Sequence, residues 1–329
     1  MADGPLSTTD LATFRRRGWV VLRAAFDPAP LAAQAEAELA ELVAQSAAES
    51  TDAGDGGGPA EDSPPAARHH LRGVAQGRFD VKSLCPRVHG AVCQLVGGEQ
   101  RLAFPLEGFH NCVARPFVGT SSTAKAASLS TPPGSPPESH PESHPVPASF
   151  DWHIDGHHEH HRVSSPDVGL VCLWLLTPAP PGAGGTVFAP GSVDHVARLL
   201  LRSEPDGVPC TALHQADARE GEEGILEQCV LRKCRSVPPT DDTDMFVGDA
   251  GDVAFCHPFL VHRGALNVAA TRARILGVSH CPLVDDLRHT VCKGEDREGR
   301  SRHLPLSPVE QGIADGLPGR RGGSWCGIS

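Results

Sequence analysis

The 329-residue sequence contains no tyrosine, no Cys-x-x-Cys pair and no apolar run approaching the length of a membrane span, which needs about 18 to 20 residues. Without such a run, and with an opening MADGPLSTTD that has neither a basic nor an apolar region, the expectation is a cytoplasmic protein lacking a secretory signal. Basic residues are also short: 29 Lys and Arg stand against 40 Asp and Glu, a formal charge of −11. Nucleic-acid affinity rests on cations neutralising phosphates, so a nucleic-acid partner is disfavoured. The eleven cysteines are scattered without metal or redox spacing, which points to reduced, mostly buried thiols. The missing tyrosine, beside 35 Gly and 30 Pro, reflects compositional bias or a loop-rich chain more than any function.

The apolar content suffices for a core, since 40% of residues are hydrophobic, and the length suits one large domain, residues 1–329. From Ser7 to Ala44 the chain reads as a helix capped by Ser7, Thr8 or Thr9, a strand at Trp19–Leu22 and a second helix along Leu31, Ala35, Leu39 and Leu42, together a support layer. Two stretches rich in Gly, Pro, Ser and acids, about 46–67 and 119–149, hold too few large apolar residues to offset their ordering entropy and read as flexible insertions. The second carries a tandem PESH repeat, in which His140 and His144 read as solvated.

Between and after the insertions, short β-prone runs recur between Gly, Pro and Asp turns: Leu102–Phe104, Phe109–Ala114, Val168–Leu176, Thr186–Ala189, Asp252–Cys256 and Arg274–His280. That spacing predicts a mainly β protein, a sandwich or barrel, with flanking helices. One of these is a helix over Ser307–Leu317, with Ser307 as cap, Pro308 in the first turn and Glu310 completing a capping box.

The sharpest chemical pattern is Trp152-His153-Ile154-Asp155-Gly156. Residues two apart on a strand face the same side, so His153 and Asp155 would point an imidazole and a carboxylate into one cavity. The segment Gly251–His262, followed by Asn267, Arg272 and Arg274, supplies a third ligand and an anion clamp. Two His and one carboxylate suit Fe(II), because the facial set leaves positions open for a cosubstrate and dioxygen. The cluster His157, His158, His160 and His161 lacks the cysteine pair or second element of a structural zinc site and reads as a loop.

These motifs stand in the order found in a known family. The opening DLATFRRRGWVVLRAAFDP, the run WHIDG, the turn GGTVFAPGSVDHV, the segment GDVAFCHPFLVHRGALN and the closing SPVEQGIADGL together resemble the phytanoyl-CoA dioxygenase family of 2-oxoglutarate enzymes. The resemblance implies a double-stranded β-helix, a jelly-roll of the cupin-like kind. It also implies Fe(II), 2-oxoglutarate and dioxygen as cofactor and cosubstrates, with a small organic substrate hydroxylated as succinate and carbon dioxide are released. Carried over by position, His153 and Asp155 are the proximal metal ligands and His262, preferred over His257 for its spacing to Asn267, is the distal one. Arg274, with Arg272 as its competitor on the same expected strand face, holds the distal carboxylate of 2-oxoglutarate. Trp174, Thr186 and Asn111 are further cosubstrate-facing positions, although Trp174 in VCLWLL reads equally as core. Gly264 departs from the pattern, standing where some members carry a hydroxyl residue. Asp155 favours hydroxylation, since related halogenating enzymes leave the carboxylate position empty.

Two other readings remain: a non-catalytic metal-binding β-helix protein, and an oxygenase acting on a protein. The closing Cys326-Gly327-Ile328-Ser329 has the outline of a prenylation signal, but Gly327 is not aliphatic and Arg320 and Arg321 alone give weak basic support. An unmodified terminus is expected.

Overall fold

The computed structural model of the chain describes residues 4–52, 68–116, 152–156, 160–163, 165, 169–210, 213, 244–269, 272–284 and 307–311. Helix α1 (Thr8–Arg17) starts at a reciprocal box in which Ser7 caps Asp10 and Asp10 returns the bond, and it ends at Gly18 with φ 83°, whose N–H reaches Phe14. The chain then enters strand β1 (Trp19–Leu22) and helix α2 (Ala29–Asp52). After β2 (His69–His70) come α3 (Arg72–Gln76), α4 (Val81–Leu84) and α5 (Pro86–Val96). Pro86 opens α5 where its missing N–H costs nothing, and Val88, Ala91, Val92, Leu95 and Val96 form the buried stripe.

The remaining strands are β3 (Asn111–Arg115), β4 (His160–His161), β5 (Leu170–Leu175), β6 (Thr186–Phe188), β7 (Val208–Pro209), β8 (Met245–Phe246), β9 (Val253–Cys256), β10 (His262–Gly264) and β11 (Arg274–Cys281), with helix α6 (Ser192–Arg202) after β6. Six strands form the large sheet in the order β1-β9-β5-β11-β3-β2, all pairs antiparallel. The small sheet runs β10-β6-β8, and a bridge from His153 to His262 adds an extended segment at its free edge. Taking the segment at His153 as the second of eight core segments, the large sheet reads 3-11-5-9 in strand numbers and the small one His153-10-6-8. The chain therefore passes repeatedly from one sheet to the other, and paired strands come from opposite ends of the sequence. This is the double-stranded β-helix.

Register decides which face of the large sheet looks inward. Trp19 pairs with Cys256, and its ring lies 4.6 Å from Phe188 of the small sheet, so that face meets the small sheet. The same face carries Asn111, Val113, Arg115, Leu173, Leu175, Ala254, Arg274, Leu276 and Val278. The outer face carries Trp174, directly opposite Gly277, and it packs against Phe26, Phe79 and Phe109, which lie in segments joining the helices and strands. Every residue of β5 and β9 is buried, because both faces are covered.

Several local expectations need correction. The first insertion does not begin at Ser46: α2 continues to Asp52, since alanine and glutamate sustain a helix that has lost its apolar stripe. Residues 53–67 and the whole insertion at 119–149, with His140 and His144, lie outside the described residues. Leu102–Phe104 is not a strand. A 3₁₀ turn (Glu99–Arg101) precedes it, Leu102 makes a single bridge to Leu283, and Phe104 is exposed. Strand β1 is not part of a separate support layer but an edge of the large sheet. At the carboxy end Ser307 and Glu310 do form their box, and residues 308–311 are helical; residues 312–329 lie outside the described ones.

Candidate metal centre

His153 and His262 face each other across the small sheet as a fully hydrogen-bonded antiparallel pair. Each donates its backbone N–H to the other's carbonyl at 2.9 Å, and their ring centroids are 4.4 Å apart. Among the described residues His153 makes this single bridge, so the HxD run is an extended edge segment and not a regular strand. Asp155 lies beyond it at a bend, and one ligand atom from each of His153, Asp155 and His262 falls within 4.8 Å of the others. This is the only such group of three or more among the described residues.

The donor set fits a divalent cation in its chemistry as well as its spacing. Nδ1 of His262 donates to the Leu260 carbonyl at 3.0 Å, which leaves Nε2 as the lone-pair nitrogen. That Nε2 is 3.7 Å from Oδ2 of Asp155, too far for a hydrogen bond and close enough to share an ion. His262 is 8% exposed, and His153 and Asp155 are partly buried. Nearby, the buried Cys256 thiol faces inward, and burial, then the Asp155 charge, pushes its pKa well up, which keeps it a neutral thiol.

His257 is not brought to this group. It directly follows β9, is 2% exposed, donates from Nε2 to the Val309 carbonyl at 3.1 Å and accepts from the Phe259 N–H at 3.1 Å. It is a fully buried tether for the helical turn at 308–311.

The two arginines separate sharply. Arg272 precedes β11, so it does not share a strand face with Arg274; it is exposed and pairs with Glu36 of α2. Arg274 is the first residue of β11, points inward, is 2% exposed, and donates from Nε to the Gly184 carbonyl at 2.8 Å. Among the described residues no carboxylate pairs with it. Burial first, then the Arg115 charge, lowers its pKa, although a guanidinium remains protonated at any working pH.

Thr186 is buried on the same inward face as His262, two residues before Phe188, which pairs with His262. Asn111 is inward as well, at the far end of β3, where His70 donates to its side-chain oxygen at 3.1 Å. Trp174 is on the outer face, 1% exposed, away from the His and Asp group, because alternation along β5 turns it toward Phe109. His160 and His161 are not loop residues but form β4, paired with β7, and His160 bonds the Asp206 carbonyl at 2.8 Å. His157 and His158 lie outside the described residues. A groove of about 550 Å³ opens on the outer face between α2 and the start of β11, lined by Leu39, Val43, Arg272 and Ile275 among others, and does not include the His and Asp group.

The positioning role of Asn267 was not visible in the sequence. Asn267, 1% exposed, donates to the carbonyls of Arg115 and Arg272 at 3.3 and 2.9 Å and so ties the entry of β11 to the end of β3. Its place five residues after His262 was the only signal.

The described cysteines, Cys85, Cys93, Cys112, Cys172, Cys210, Cys256 and Cys281, are all free thiols. No described helix is long and apolar enough to cross a membrane.

No protein-family model matches the chain, and no curated protein matches its sequence. Solved structures with a related chain path include the non-haem alpha-ketoglutarate-dependent carbocyclase SnoK from nogalamycin biosynthesis, at 15% identity over 85% of each chain with a TM-score of 0.44. Another is EctD from S. alaskensis in its apoform, at 17% identity over 93% of this chain and 85% of that one, TM-score 0.42. A third is HygX from Streptomyces hygroscopicus with nickel and 2-oxoglutarate bound, at 14% identity over 84% and 87%, TM-score 0.40. Likeness this distant assigns no reaction to the present chain.

Proposed function

We propose that this protein is an Fe(II)- and 2-oxoglutarate-dependent dioxygenase that hydroxylates a small organic substrate, of the phytanoyl-CoA dioxygenase type. The observation that carries the reading is the hydrogen-bonded pair His153 and His262 with Asp155 alongside, inside a barrel whose inner face also presents the buried cation Arg274. Either feature alone has ordinary structural explanations. Together they match the two ends of a cosubstrate that chelates a metal through its 2-oxo acid and carries a second carboxylate.

Each residue has a definite task in this reading. His262 offers Nε2 because its Nδ1 proton is committed to Leu260, and His153 is held opposite it by two backbone bonds. Asp155 supplies the anionic ligand, and its presence favours hydroxylation over halogenation. Arg274 takes the distal carboxylate with Nη1 and Nη2, since Nε is occupied by Gly184. When bound, the metal supplies the open coordination positions and the redox chemistry that couple cosubstrate decarboxylation to substrate oxidation. The barrel wall of Leu173, Leu175, Leu276 and Phe188 limits water there.

The test is anaerobic titration of purified protein with Fe(II) and 2-oxoglutarate, followed by a metabolite screen for succinate release in oxygen. Binding of both with substrate-stimulated succinate supports the dioxygenase. Metal binding without 2-oxoglutarate binding would leave a non-catalytic metal protein, and succinate release stimulated only by a polypeptide would move the substrate to the protein class.

A further inference from the structure

Strand β3 does not begin in simple register with β11. Asn111 is the register partner of Val278, yet the amide of His110 also donates to the Val278 carbonyl, at 2.7 Å. Two residues of one strand thus oppose one of the other, as in a β-bulge, a device that re-aims a side chain. The side chain re-aimed here is His110. Its ring stacks on that of His280, with centroids 5.1 Å apart and planes 16° from parallel. His280 faces inward, because it follows Arg274, Leu276 and Val278 at strand alternation.

The pair lies at the metal end of the barrel. His280 is the register partner of Val171, and Val171 of Cys256, whose thiol responds to the Asp155 charge. Two strand spacings, roughly 10 Å, separate His280 from Cys256 on this inner face. Arg274 stands six residues back along β11, roughly 20 Å away. A five-carbon acid anchored at Arg274 does not span that length, so the pair lies outside the cosubstrate's seat.

One hydrogen bond decides what His110 can offer. The backbone N–H of His280 donates to Nδ1 of His110 at 3.0 Å, which uses the lone pair there and puts the proton of the neutral ring on Nε2. His262 has the reverse arrangement, with its proton on Nδ1 and its lone pair on Nε2. His110 can therefore neither ligate a metal nor accept a proton through Nε2; it donates. A second proton, on Nδ1, would break the bond from His280. His110 is exposed, and no described residue accepts from its Nε2. Nε2 of His280 is enclosed and likewise has no hydrogen-bond partner among the described residues. Leaving such an atom unpaired costs stability that a bound polar group offsets.

Resting on the function proposed above, we propose that His110, its tautomer set by His280, is a specificity-determining hydrogen-bond donor for the substrate, and that the substrate presents an acceptor-only oxygen group, a carbonyl or a carboxylate, to this wall. An ammonium has only protons to offer and would meet the Nε2 proton head on. A carbonyl or carboxylate brings lone pairs alone and fits without leaving a proton of its own unpaired.

The experiment uses the full-length protein, anaerobic and loaded with Zn(II), which is redox-inert and diamagnetic, and with 2-oxoglutarate, its histidines isotope-labelled. A long-range proton–nitrogen spectrum, with the His110 signals identified by their loss in His110→Phe, is expected to show Nε2 protonated and Nδ1 bare. Titration with hexanoate and with 2-hexanone should shift those signals, and hexan-1-amine should not. His110→Phe keeps a ring without the donor and, by calorimetry, should weaken hexanoate and 2-hexanone about three- to tenfold. His110→Gln, whose amide brings a donor near the Nε2 position, should recover most of that loss. Affinity for Zn(II) and 2-oxoglutarate should stay within about threefold in both variants. If His110→Phe does not fold, His110→Gln identifies the signals and the wild-type spectrum and titration decide alone. A bare Nε2, no response to either oxygen probe, an equal response to the amine, or unchanged probe affinity in folded His110→Phe overturns the assignment and leaves the metal site intact. A wild-type protein that binds neither Zn(II) nor 2-oxoglutarate overturns the functional reading, and this inference with it.

Discussion

His257 makes the protein's stability depend on pH in a way that can be isolated. Its ring is 2% exposed, lies 5.3 Å from Phe259 and 6.4 Å from Phe14, and has both nitrogens committed, one as donor to Val309 and one as acceptor from Phe259. A second proton would have to displace the Phe259 N–H and bring a charge into an apolar site. Burial accordingly pushes the pKa down from 6.5 to about 3, against a smaller upward pull from the Val309 bond. The unfolded chain takes up the proton first as pH falls, so the stability from neutral His257 is fully present above about pH 6.5 and is lost between 6.5 and 3. Each pH unit in that window costs about 1.36 kcal/mol, so moving from pH 7 to pH 4.5 removes about 2.7 kcal/mol, a large share of a typical folding free energy. The assay is urea denaturation of metal-free wild type and His257→Gln at about pH 7, 5.5 and 4.5, taking the difference at each pH so that other groups cancel. Glutamine does not titrate and loses one of two hydrogen bonds, so at pH 7 the variant should be less stable by about 1 to 3 kcal/mol. By pH 4.5 that gap should shrink by about 2.7 kcal/mol and close or reverse. A gap that stays constant with pH would refute the reasoning, because His257 would then be protonated equally in both states.

His153→Ala, Asp155→Ala and His262→Ala should each abolish Fe(II) retention and turnover while leaving the fold intact, whereas His257→Ala keeps the metal and loses stability; metal analysis beside a melting curve separates the two. Arg274→Lys should raise the Michaelis constant for 2-oxoglutarate by about ten- to a hundredfold, while Arg272→Lys, altering an exposed pair with Glu36, should change it by less than about twofold; the reverse ranking would move the clamp to Arg272. Trp174→Ala should cost about 3 to 5 kcal/mol of unfolding free energy with Ni(II) affinity preserved, and a folded variant that loses metal affinity would place this ring in the site after all.

Short-range features were legible in the sequence because their causes are short-range. Ser7 with Asp10 and Ser307 with Glu310 close their boxes across three residues, and the apolar runs of β5, β9 and β11 announce strands whatever lies beside them. The spacing of His153 and Asp155 is also local, as is the turn before β6. Helix α6 is equally readable, since Val193, Val196, Ala197 and Leu200 repeat at helical spacing beyond the turn at Pro190 and Gly191. Where α2 would stop was not readable, because an exposed helix end is set by small propensities that composition does not rank against loop formation.

The partners across the barrel belong to the tertiary structure alone. No local pattern states that the backbone of His153 bonds that of His262, more than a hundred residues away, or that Arg115 and Arg274 occupy one rung. Nor does any local pattern turn Trp174 outward while Arg274 turns inward, since strand alternation fixes only that neighbouring residues face opposite sides. Which side is the inside is settled by pairing register and by the second sheet that closes over it. Sequence thus determined the chemical inventory and most of the elements, and long-range strand pairing decided which members of that inventory meet.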